Sequence, residues 1–571
     1  MPASDHARRD PLSVSLILGL AHAGLFTLAV PPYSFMPAMP VSIALLTRMG
    51  LRARTASRGM LIAAVTQVVM WCVLHRWVIE VSAAGWIPLG VYLSCYGALY
   101  TGIIARLAHR SRTAGMPMTV GVPVVWVGLE YLRGAIVFHG YPWYLAGHVT
   151  IERPELAQSA AWFGAYFVSA LVALFAGAIV DAIDRRWRIA TTGVVTGAGI
   201  MVTAAVTNDP PEDAPVRHVM AVQTNVPQDN RMHWTPEQQL TDVASFIEMT
   251  RRGVDDADEQ PDLIVWPETM MPGLGLEVQT LQLIQSRGDA HYARLVGALF
   301  DLQRSIDVPM LIGMSVFTNL RIEGEPEGTL AWDAQYNSAY VVDGPLPFER
   351  YDKVFLAPFG ETMPYISAWP WLEARLLAFG ARGMTFELDA ATSITRLPFG
   401  TREDGATGMM ATPICFEDTV PGVCRSMAFE AGVKRIDLLV NMSNDGWFGR
   451  NAGGRAAHAA AARFRCIELR TPMVRAANTG YSIGVDSSGN LIARLGEGRY
   501  GEHRVAGTVL ARVTLDSRVP PYARIGDAWG WMCTAAVAVL LLIGGCGTRS
   551  PRRIDDEDTT VDSSTTTPRR T

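Results

Sequence analysis

Long apolar runs alternate with short polar connections at the start of the chain, and the pattern then changes. Apolar stretches lie near residues 12–30, 34–47, 60–79, 84–105, 116–138, 157–180 and 189–206, with another at 528–546. A helix needs about 20 apolar residues to cross the hydrocarbon core, so each run reads as a membrane span, the one at 34–47 being short. Arg8 and Arg9 ahead of the first run give it the look of a signal peptide, but further runs follow at once and it reads as an anchor. In between, short β-branched runs appear at His218 to Gln223, Leu263 to Trp266, Met310 to Phe317, Ser338 to Val342, Gly408 to Ile414, Leu438 to Met442 and Ser482 to Val485. Helical stretches separate them. Thr235 with Pro236 makes a helix start, and Arg455 to Arg470 is alanine-rich. The expected organisation is a membrane domain of about seven spans over 1–210, a layered α/β domain over 214–519, a transmembrane helix over 526–547 and a tail over 548–571. That tail, rich in Ser, Thr, Asp and Arg, cannot build a core and is expected to be disordered.

Arginine placement orients the spans, because basic residues near membrane ends are retained in the cytoplasm. Arg48, Arg52, Arg54 and Arg58 follow the second run, Arg106, Arg110 and Arg112 the fourth, and Arg185, Arg186 and Arg188 the sixth. The alternate connections are poor in arginine, with Arg76 and Arg153 as exceptions. Seven spans from a cytoplasmic amino terminus deliver 214–519 to the outer side, and the last span returns the chain beside Arg549, Arg552 and Arg553.

Composition agrees with a membrane component: 49% of the residues are hydrophobic and only 18% charged. The net charge of -5 comes without a basic block, so no nucleic-acid partner is expected. The 7 cysteines show neither CxxC nor metal-ligand spacing, which speaks against a disulfide framework and a zinc site. Lys353 and Lys434 are the sole lysines in a chain that otherwise uses arginine, so each draws attention.

Three polar residues sit in or just past strand-like runs, where α/β enzymes place their sites. Glu268 closes Asp262-Leu-Ile-Val-Trp-Pro-Glu268, Lys353 lies in Tyr351-Asp-Lys-Val-Phe-Leu-Ala-Pro-Phe-Gly-Glu361, and Cys415 lies in Thr412-Pro-Ile-Cys-Phe-Glu417. Singly, each has an ordinary explanation: a small buried hydrophobe, a solvated charge, a turn residue. Together they make an acyl-transfer set. A thiol becomes a strong nucleophile when a base takes its proton, and a compact ammonium favours both the thiolate and the oxyanion formed on attack.

On these residues the chain resembles the nitrilase (carbon-nitrogen hydrolase) superfamily, whose site is a Glu-Lys-Cys triad in this order. More narrowly, it is similar to the apolipoprotein N-acyltransferase family, in which such a domain is joined to a multi-span membrane domain. The likeness covers roughly residues 11–546. It extends to Gln223-Thr-Asn225-Val-Pro227-Gln228 with Trp234, to Tyr336-Asn337-Ser338, and to Ser443-Asn444-Asp445-Gly446-Trp447-Phe448-Gly449 followed by His458, Arg465, Glu468 and Arg470. In the membrane part it includes Trp126, Glu130-Tyr-Leu-Arg133-Gly134 and Tyr141-Pro142-Trp143.

The resemblance implies a polytopic α-helical membrane domain carrying a nitrilase-like αββα sandwich. It implies Cys415 as nucleophile, Glu268 as general base and Lys353 as transition-state stabiliser, with Glu361 orienting the lysine and the amide after Cys415 completing an oxyanion hole. Glu417 is a supporting candidate, with a purely structural hydrogen-bonding role as the equal alternative. Phe416 stands where the family has a familiar tyrosine, so any hydroxyl contact there is lost. Trp143, Trp234, Asn337, Asn444, Trp447 and Phe448 are the substrate-binding candidates, with core packing the alternative for the aromatics. Glu130 and Arg133, three apart on one helix face, are expected to pair. The apolar segment from Glu361 to Phe386 reads as a lid.

The implied reaction moves a fatty acyl group from a phospholipid through a Cys415 thioester to the α-amine of a diacylglyceryl-cysteine on an apolipoprotein, the last step of bacterial lipoprotein maturation. The expected place is the bacterial inner membrane, multi-pass, with the catalytic domain on the extracytoplasmic face among membrane lipids. No metal or organic cofactor is called for. Two alternatives stay open: a membrane-anchored amidase that lets water reach the thioester, and a non-catalytic scaffold for another envelope enzyme such as a polyprenol-phosphate glycosyltransferase.

Overall fold

The computed structural model describes residues 11–109, 115–210, 213–227, 234–324, 328–369, 371–373, 375, 388–401 and 407–545. Its first part is a bundle of α1 (Leu12–Ala29), α2 (Ala38–Arg52), α3 (Ala56–Leu74), α4 (Ala83–His109), α5 (Met118–Tyr131), α6 (Ala165–Ile183) and α7 (Trp187–Val206). Among the described residues, 6 helices are long and apolar enough to cross a membrane, with α5 counted through to His139. Helix α2 has 15 residues, about 22 Å, and falls short of that length. It nevertheless runs from one end of the bundle to the other, antiparallel to α1 and α3 and parallel to α4 and α6. The Pro31–Pro32 corner before it lies where a side chain on Gly453 would touch Pro32, and Arg48 in its last turns pairs with Asp184 at 2.6 Å, just past α6. The bundle therefore has two chemically different ends. Arg48, Arg52, Arg58, Arg106, Arg185, Arg186 and Arg188 gather at the end remote from residues 214–519.

Several boundaries differ from the sequence reading. The second run forms a helix over Ala38–Arg52 rather than 34–47, because the prolines at 31, 32 and 37 hold the chain out of a helix until Ala38. The third helix ends at Leu74, short of 79. The sixth helix begins at Ala165 rather than 157, since residues 146–163 fold into short helical turns that dock on the second part of the molecule. The final helix, α11, spans Ala528–Gly545, and the tail at 548–571 lies outside the described residues.

Two six-stranded sheets form the second part. The first runs in the order β12 (Gly507–Thr514), β1 (Val216–Gln223), β2 (Leu263–Val265), β3 (Met310–Thr318), β4 (Ala334–Val342), β5 (Glu349–Asp352). The second runs β11 (Leu491–Arg494), β10 (Ile483–Val485), β9 (Met473–Ala477), β8 (Leu438–Ser443), β7 (Thr407–Ala411), β6 (Leu397–Thr401). Strand alternation sends Val219, Ala221, Leu263 and Val265 inward to meet Met410, Leu439, Val474 and Ile483 of the other sheet. The opposite face of the first sheet, with Met220, Val222, Ile264 and Ile312, packs on α8 (Pro236–Asp255) and α9 (Ala290–Ile306) through Phe246, Leu295 and Leu299. Helix α10 (Ala452–Leu469) covers the second sheet with Ala459, Ala462 and Cys466, completing an αββα sandwich. Thr235 and Gln238 form a reciprocal capping box at the start of α8.

The two parts are joined by buried polar contacts. Glu468 of α10 accepts from the Ala165 N–H at 2.7 Å and so caps membrane helix α6. Gln158 donates to the Ser488 carbonyl at 2.9 Å and accepts from Arg470 at 2.7 Å, while Tyr500 donates to Glu152 at 2.5 Å. These contacts seat residues 146–165 as a collar between bundle and sandwich.

Helices α5 and α6 touch backbone to backbone at Gly177, where a Cβ would stand 2.2 Å from the Met118 carbonyl oxygen. Gly177→Val should therefore force the pair apart and destabilise the bundle by about 1–3 kcal/mol, seen as an earlier thermal unfolding transition in detergent. Gly199→Ala, in open space on α7, should leave that transition in place.

Candidate active site

Glu268 follows β2 on a Trp-Pro turn and is fixed from three directions. Its Oε1 accepts from Asn337 Nδ2 at 2.7 Å, its Oε2 accepts from the Asn444 N–H at 2.7 Å, and Lys353 Nζ lies 3.9 Å from Oε1. Gly313 on β3 permits this close approach, because a Cβ there would sit 2.6 Å from the Pro267 oxygen and 2.9 Å from the Glu268 Cα.

Lys353 continues β5 and has no exposed surface. Its N–H donates to the Asn337 carbonyl at 2.9 Å, its carbonyl accepts from Ala391, and its ammonium donates to Glu361 at 2.8 Å. Glu361 is itself held by the Ala357 N–H at 2.8 Å. Burial alone would lower the lysine's pKa, but Glu361 and then Glu268 more than offset it and hold the ammonium charged well above its usual range.

Cys415 opens the turn Cys415–Thr419, just after Ile414 bridges to Met442 and extends the pairing of β7 with β8. Its φ of 52° places a non-glycine residue in the left-handed region, a strained backbone of the kind that presents a side chain into a site. The thiol is half-buried. Burial pushes its pKa up, Glu268 adds to the rise and Lys353 opposes it. A resting thiol therefore stays protonated until a base takes the proton, and Glu268 and Lys353 are the charged groups that bear on it most.

Glu417 is fully buried, and its carboxylate braces two segments. It accepts from the Ile414 N–H at 2.7 Å, from the Val354 and Phe355 N–H groups at 2.9 Å each, and from the Tyr351 hydroxyl at 2.9 Å. Burial pushes its pKa up to about 7, against the Lys353 charge and its hydrogen-bond donors. It ties the cysteine turn to the lysine strand and does not contact the ammonium directly.

An aromatic wall from the helical bundle closes one side. Phe416 lies nearly parallel to Tyr141, Trp143 and Phe355 at ring distances of 6.4, 6.5 and 6.3 Å. Phe448 packs on Trp77 at 4.8 Å and on Trp143 at 5.7 Å. Tyr365, from the apolar segment after Glu361, rests on Phe138 at 5.4 Å, and its hydroxyl reaches the Ile136 carbonyl at 3.4 Å. Trp369 and Trp371 of that segment are exposed; Leu376, Leu377 and Phe379 lie outside the described residues.

The sequence-derived candidates thus separate into groups. Glu268, Lys353, Cys415, Glu361, Asn337, Asn444, Glu417 and Phe416 converge, with Trp143 and Phe448 behind them. Asn337 and Asn444, read from sequence as substrate-binding candidates, hold Glu268, the first through its side chain and the second through its backbone N–H. Trp447 is half-buried in the same turn as Phe448. Trp234 stands apart: its indole N–H donates to Asp242 at 2.8 Å and its carbonyl accepts from Gln239, both at the start of α8. The expected Glu130–Arg133 pair is not formed as a direct contact. The helix widens into a π-turn at Leu132–Ile136, so Glu130 accepts from Trp126 and the Ala146 N–H, and Arg133 lies over Trp71 at 5.6 Å. Tyr351 and Asn478 were missed. Tyr351 was recoverable, being two residues before Lys353 in an extended strand and so on its face; Asn478, which donates to Asn444 Oδ1 at 2.9 Å, had no local signal.

Removing the Asn337 donor should weaken the hold on Glu268. Asn337→Ala is expected to cost about 1.5–3 kcal/mol, roughly ten- to a hundredfold in the rate of Cys415 acylation, while Trp234→Ala should change it less than about threefold; single-turnover kinetics separates the two.

Comparison with known proteins places this geometry in a family. The carbon-nitrogen hydrolase model matches residues 219–518, and the model of the apolipoprotein N-acyltransferase N-terminal domain matches residues 22–178. The chain is 29% identical over 461 residues to the apolipoprotein N-acyltransferase of Geobacter metallireducens, covering 78% of each chain. It is 26% identical over 533 residues to that of Photobacterium profundum, covering 90% of this chain and 91% of the relative. To that of Methylococcus capsulatus it is 29% identical over 498 residues, covering 84% and 87%. The chain belongs to the carbon-nitrogen hydrolase family and joins that family's catalytic fold to the N-terminal domain of the apolipoprotein N-acyltransferases.

Proposed function

We propose that this multi-pass membrane protein transfers a fatty acyl group from a phospholipid to the α-amine of a diacylglyceryl-cysteine at the start of an apolipoprotein, with Cys415 as the carrier. One observation supports this reading above the others: the strained turn bearing Cys415 is walled by Phe416, Tyr141, Trp143 and Phe448, so the nucleophile sits against the helical bundle. A lipid acyl chain rising from the membrane meets an apolar wall there, and water is displaced.

The chemistry follows from the donors and acceptors. Glu268 takes the Cys415 proton as sulfur attacks the ester carbonyl, and the charge developing on oxygen is met by the Lys353 ammonium and the N–H of Phe416. Collapse breaks the ester C–O bond; Glu268 returns the proton to the departing lysophospholipid hydroxyl, leaving a thioester. The acceptor amine, deprotonated by Glu268, then attacks the thioester, forming the amide and restoring the thiol. Glu361 keeps the lysine aimed and charged throughout. Arg48, Arg52, Arg58, Arg106, Arg185, Arg186 and Arg188 lie at the end of the bundle away from the sandwich, with Arg76, Arg133 and Arg153 elsewhere, and this excess supports a cytoplasmic position for that end and an extracytoplasmic one for residues 214–519.

Three outcomes test this reading. Supplied with a phospholipid and a peptide bearing an amino-terminal diacylglyceryl-cysteine, the protein should form the N-acyl peptide; steady release of free fatty acid with no peptide product would instead indicate an amidase- or lipase-like hydrolase. Cys415→Ser should lower the transfer by at least about a thousandfold, because a hydroxyl is far harder to ionise than a thiol, and Lys353→Arg should fail similarly, since a planar guanidinium does not fit a buried site shaped for an ammonium. A reporter fused after Arg217 should be active outside the cytoplasm and one fused after Arg188 inside; the reverse pair would invert the orientation.

A further inference from the structure

Behind the cysteine turn lies a second charged cluster to which the reaction assigns no role. Asp418, three residues after Cys415 on the same turn, is fully buried; so are Asp445, on the turn after β8, Arg475 of β9 and His458 of α10. Arg475 reaches Asp418 Oδ2 at 2.6 Å and Asp445 Oδ1 at 2.9 Å. His458 reaches the same two carboxylates from the other side: Nε2 is 2.9 Å from Asp418 Oδ1 and Nδ1 is 3.3 Å from Asp445 Oδ1.

Two physical arguments fix the state of that ring. A carboxylate only accepts hydrogen bonds, so an imidazole with a carboxylate oxygen at each nitrogen satisfies both when both nitrogens carry hydrogen. Charge balance gives the same answer. Within the cluster two buried carboxylates face one guanidinium; Arg455 of α10 also acts on Asp445 but gives its hydrogen bonds to the Asn451 and Gly449 carbonyls and the Thr479 hydroxyl, so an imidazolium is the charge that balances the cluster itself. Burial would lower the imidazole's pKa, but Asp418 leads the opposing influences and the net direction is upward. Arg475 is the group of the cluster that repels the ring's charge; its Nη2 stands 3.1 Å from His458 Nδ1, where a neutral ring would accept its hydrogen bond and an imidazolium instead directs the Nδ1 hydrogen to Asp445.

The cluster's position gives it consequence. Asp418 belongs to the turn that presents the thiol, while Asp445 adjoins Asn444, whose N–H holds Glu268. His458 Nε2 also lies 3.4 Å from the Cys415 carbonyl oxygen. The charge of Asp445 opposes ionisation of Cys415, so what neutralises Asp445 bears on the nucleophile. Trp143 of the bundle packs on the His458 ring at 5.4 Å, and Phe448 at 6.1 Å.

We propose that His458, as a doubly protonated imidazolium, is a positioning residue that clamps the Cys415 turn to the turn holding Glu268 and neutralises the Asp418–Asp445 pair behind the thiol. It touches no reacting atom. It acts through Asp418 on the nucleophile's turn and through Asp445 on the base's turn, and Trp143 brings the helical bundle into contact with the same ring. The proposal rests on Cys415 being the nucleophile but not on the identity of the acyl donor or acceptor.

The test reads the thiol directly, so it stands apart from any transfer assay. Alkylation of Cys415 in the full-length protein by iodoacetamide, followed across pH 6–10 by peptide mass, measures how readily the thiol ionises. His458→Gln retains size and one hydrogen-bonding arm but leaves the cluster one negative charge in excess. The expected result is a profile displaced to higher pH, roughly tenfold slower at pH 8. The double variant Asp418→Asn with His458→Gln removes one charge of each sign and should return the rate to within about threefold of the parent. Superimposable profiles for the parent and His458→Gln would overturn the proposal. A slowed His458→Gln that the double variant fails to restore would reduce the histidine to packing and also overturn it. Should the variants not fold, the unaltered protein decides the matter: with ¹⁵N-labelled histidine, one imidazole should keep two protonated ring nitrogens at pH 8, and its absence would refute the imidazolium. Loss of lipid transfer with this pattern intact would count against the acyltransferase reading alone.

Discussion

Lys353 is an ammonium with no exposed surface, and an isolated charge in such a place would cost far more than folding can offset. The surrounding structure is organised to meet that cost. Glu361 pairs with the ammonium, Glu268 stands within ionic reach, and both carboxylates are held by backbone or amide donors from separate segments. Asn337 serves both charges, donating to Glu268 through its side chain and accepting from the Lys353 N–H through its carbonyl. A carboxylate kept close to a buried ammonium yet free of direct contact with it remains able to exchange a proton with the neighbouring thiol, as the proposed chemistry requires. The strain at Cys415 is sustained in the same way, by Glu417 gathering donors from both the cysteine turn and the lysine strand.

Buried polar contacts and an aromatic wall also make the sandwich and the bundle one structure. Glu468 caps α6 across the boundary, Gln158 links Ser488 to Arg470, and the aromatic wall places Tyr141 and Trp143 against Phe416. The collar at 146–165 is consequently not a membrane span but a docking element, and the helix that follows starts where its first N–H groups find a carboxylate from the sandwich. The proposed acyl transfer needs an apolar side to the site, and the aromatic wall that could serve it comes from another part of the chain.

Much of this was legible in the sequence because it is written in local patterns. The apolar runs marked the bundle, short β-branched runs marked β1, β3 and β4, and Thr235-Pro236 marked the start of α8. Glu268 and Cys415 each followed an apolar strand and were readable as candidates for that reason, whereas Lys353 stood out as one of two lysines in a chain that otherwise uses arginine. Strands β5, β6, β9, β11 and β12 were not found: among them, Glu349–Asp352 is mostly charged, and Met473–Ala477 carries Arg475 in its centre, a charge that the distant Asp418 and Asp445 make tolerable. The roles of Asn337 and Asn444 were also invisible, since both depend on partners about 69 and 176 residues away. The hydrogen bond from Trp234 to Asp242 was likewise not readable, because an aromatic near a family-like motif gives no information about which way its ring points. Long-range polar matching is what sequence patterns carry least.

The account depends on Cys415 accepting an acyl group in a site that excludes water, and intact-protein mass reads this directly. Incubated with a defined phospholipid and no acceptor, the protein should gain the mass of one fatty acyl chain in a single burst, with one equivalent of lysophospholipid released and the adduct persisting on Cys415. An unchanged mass, or an adduct that decays as free fatty acid accumulates continuously, would contradict it.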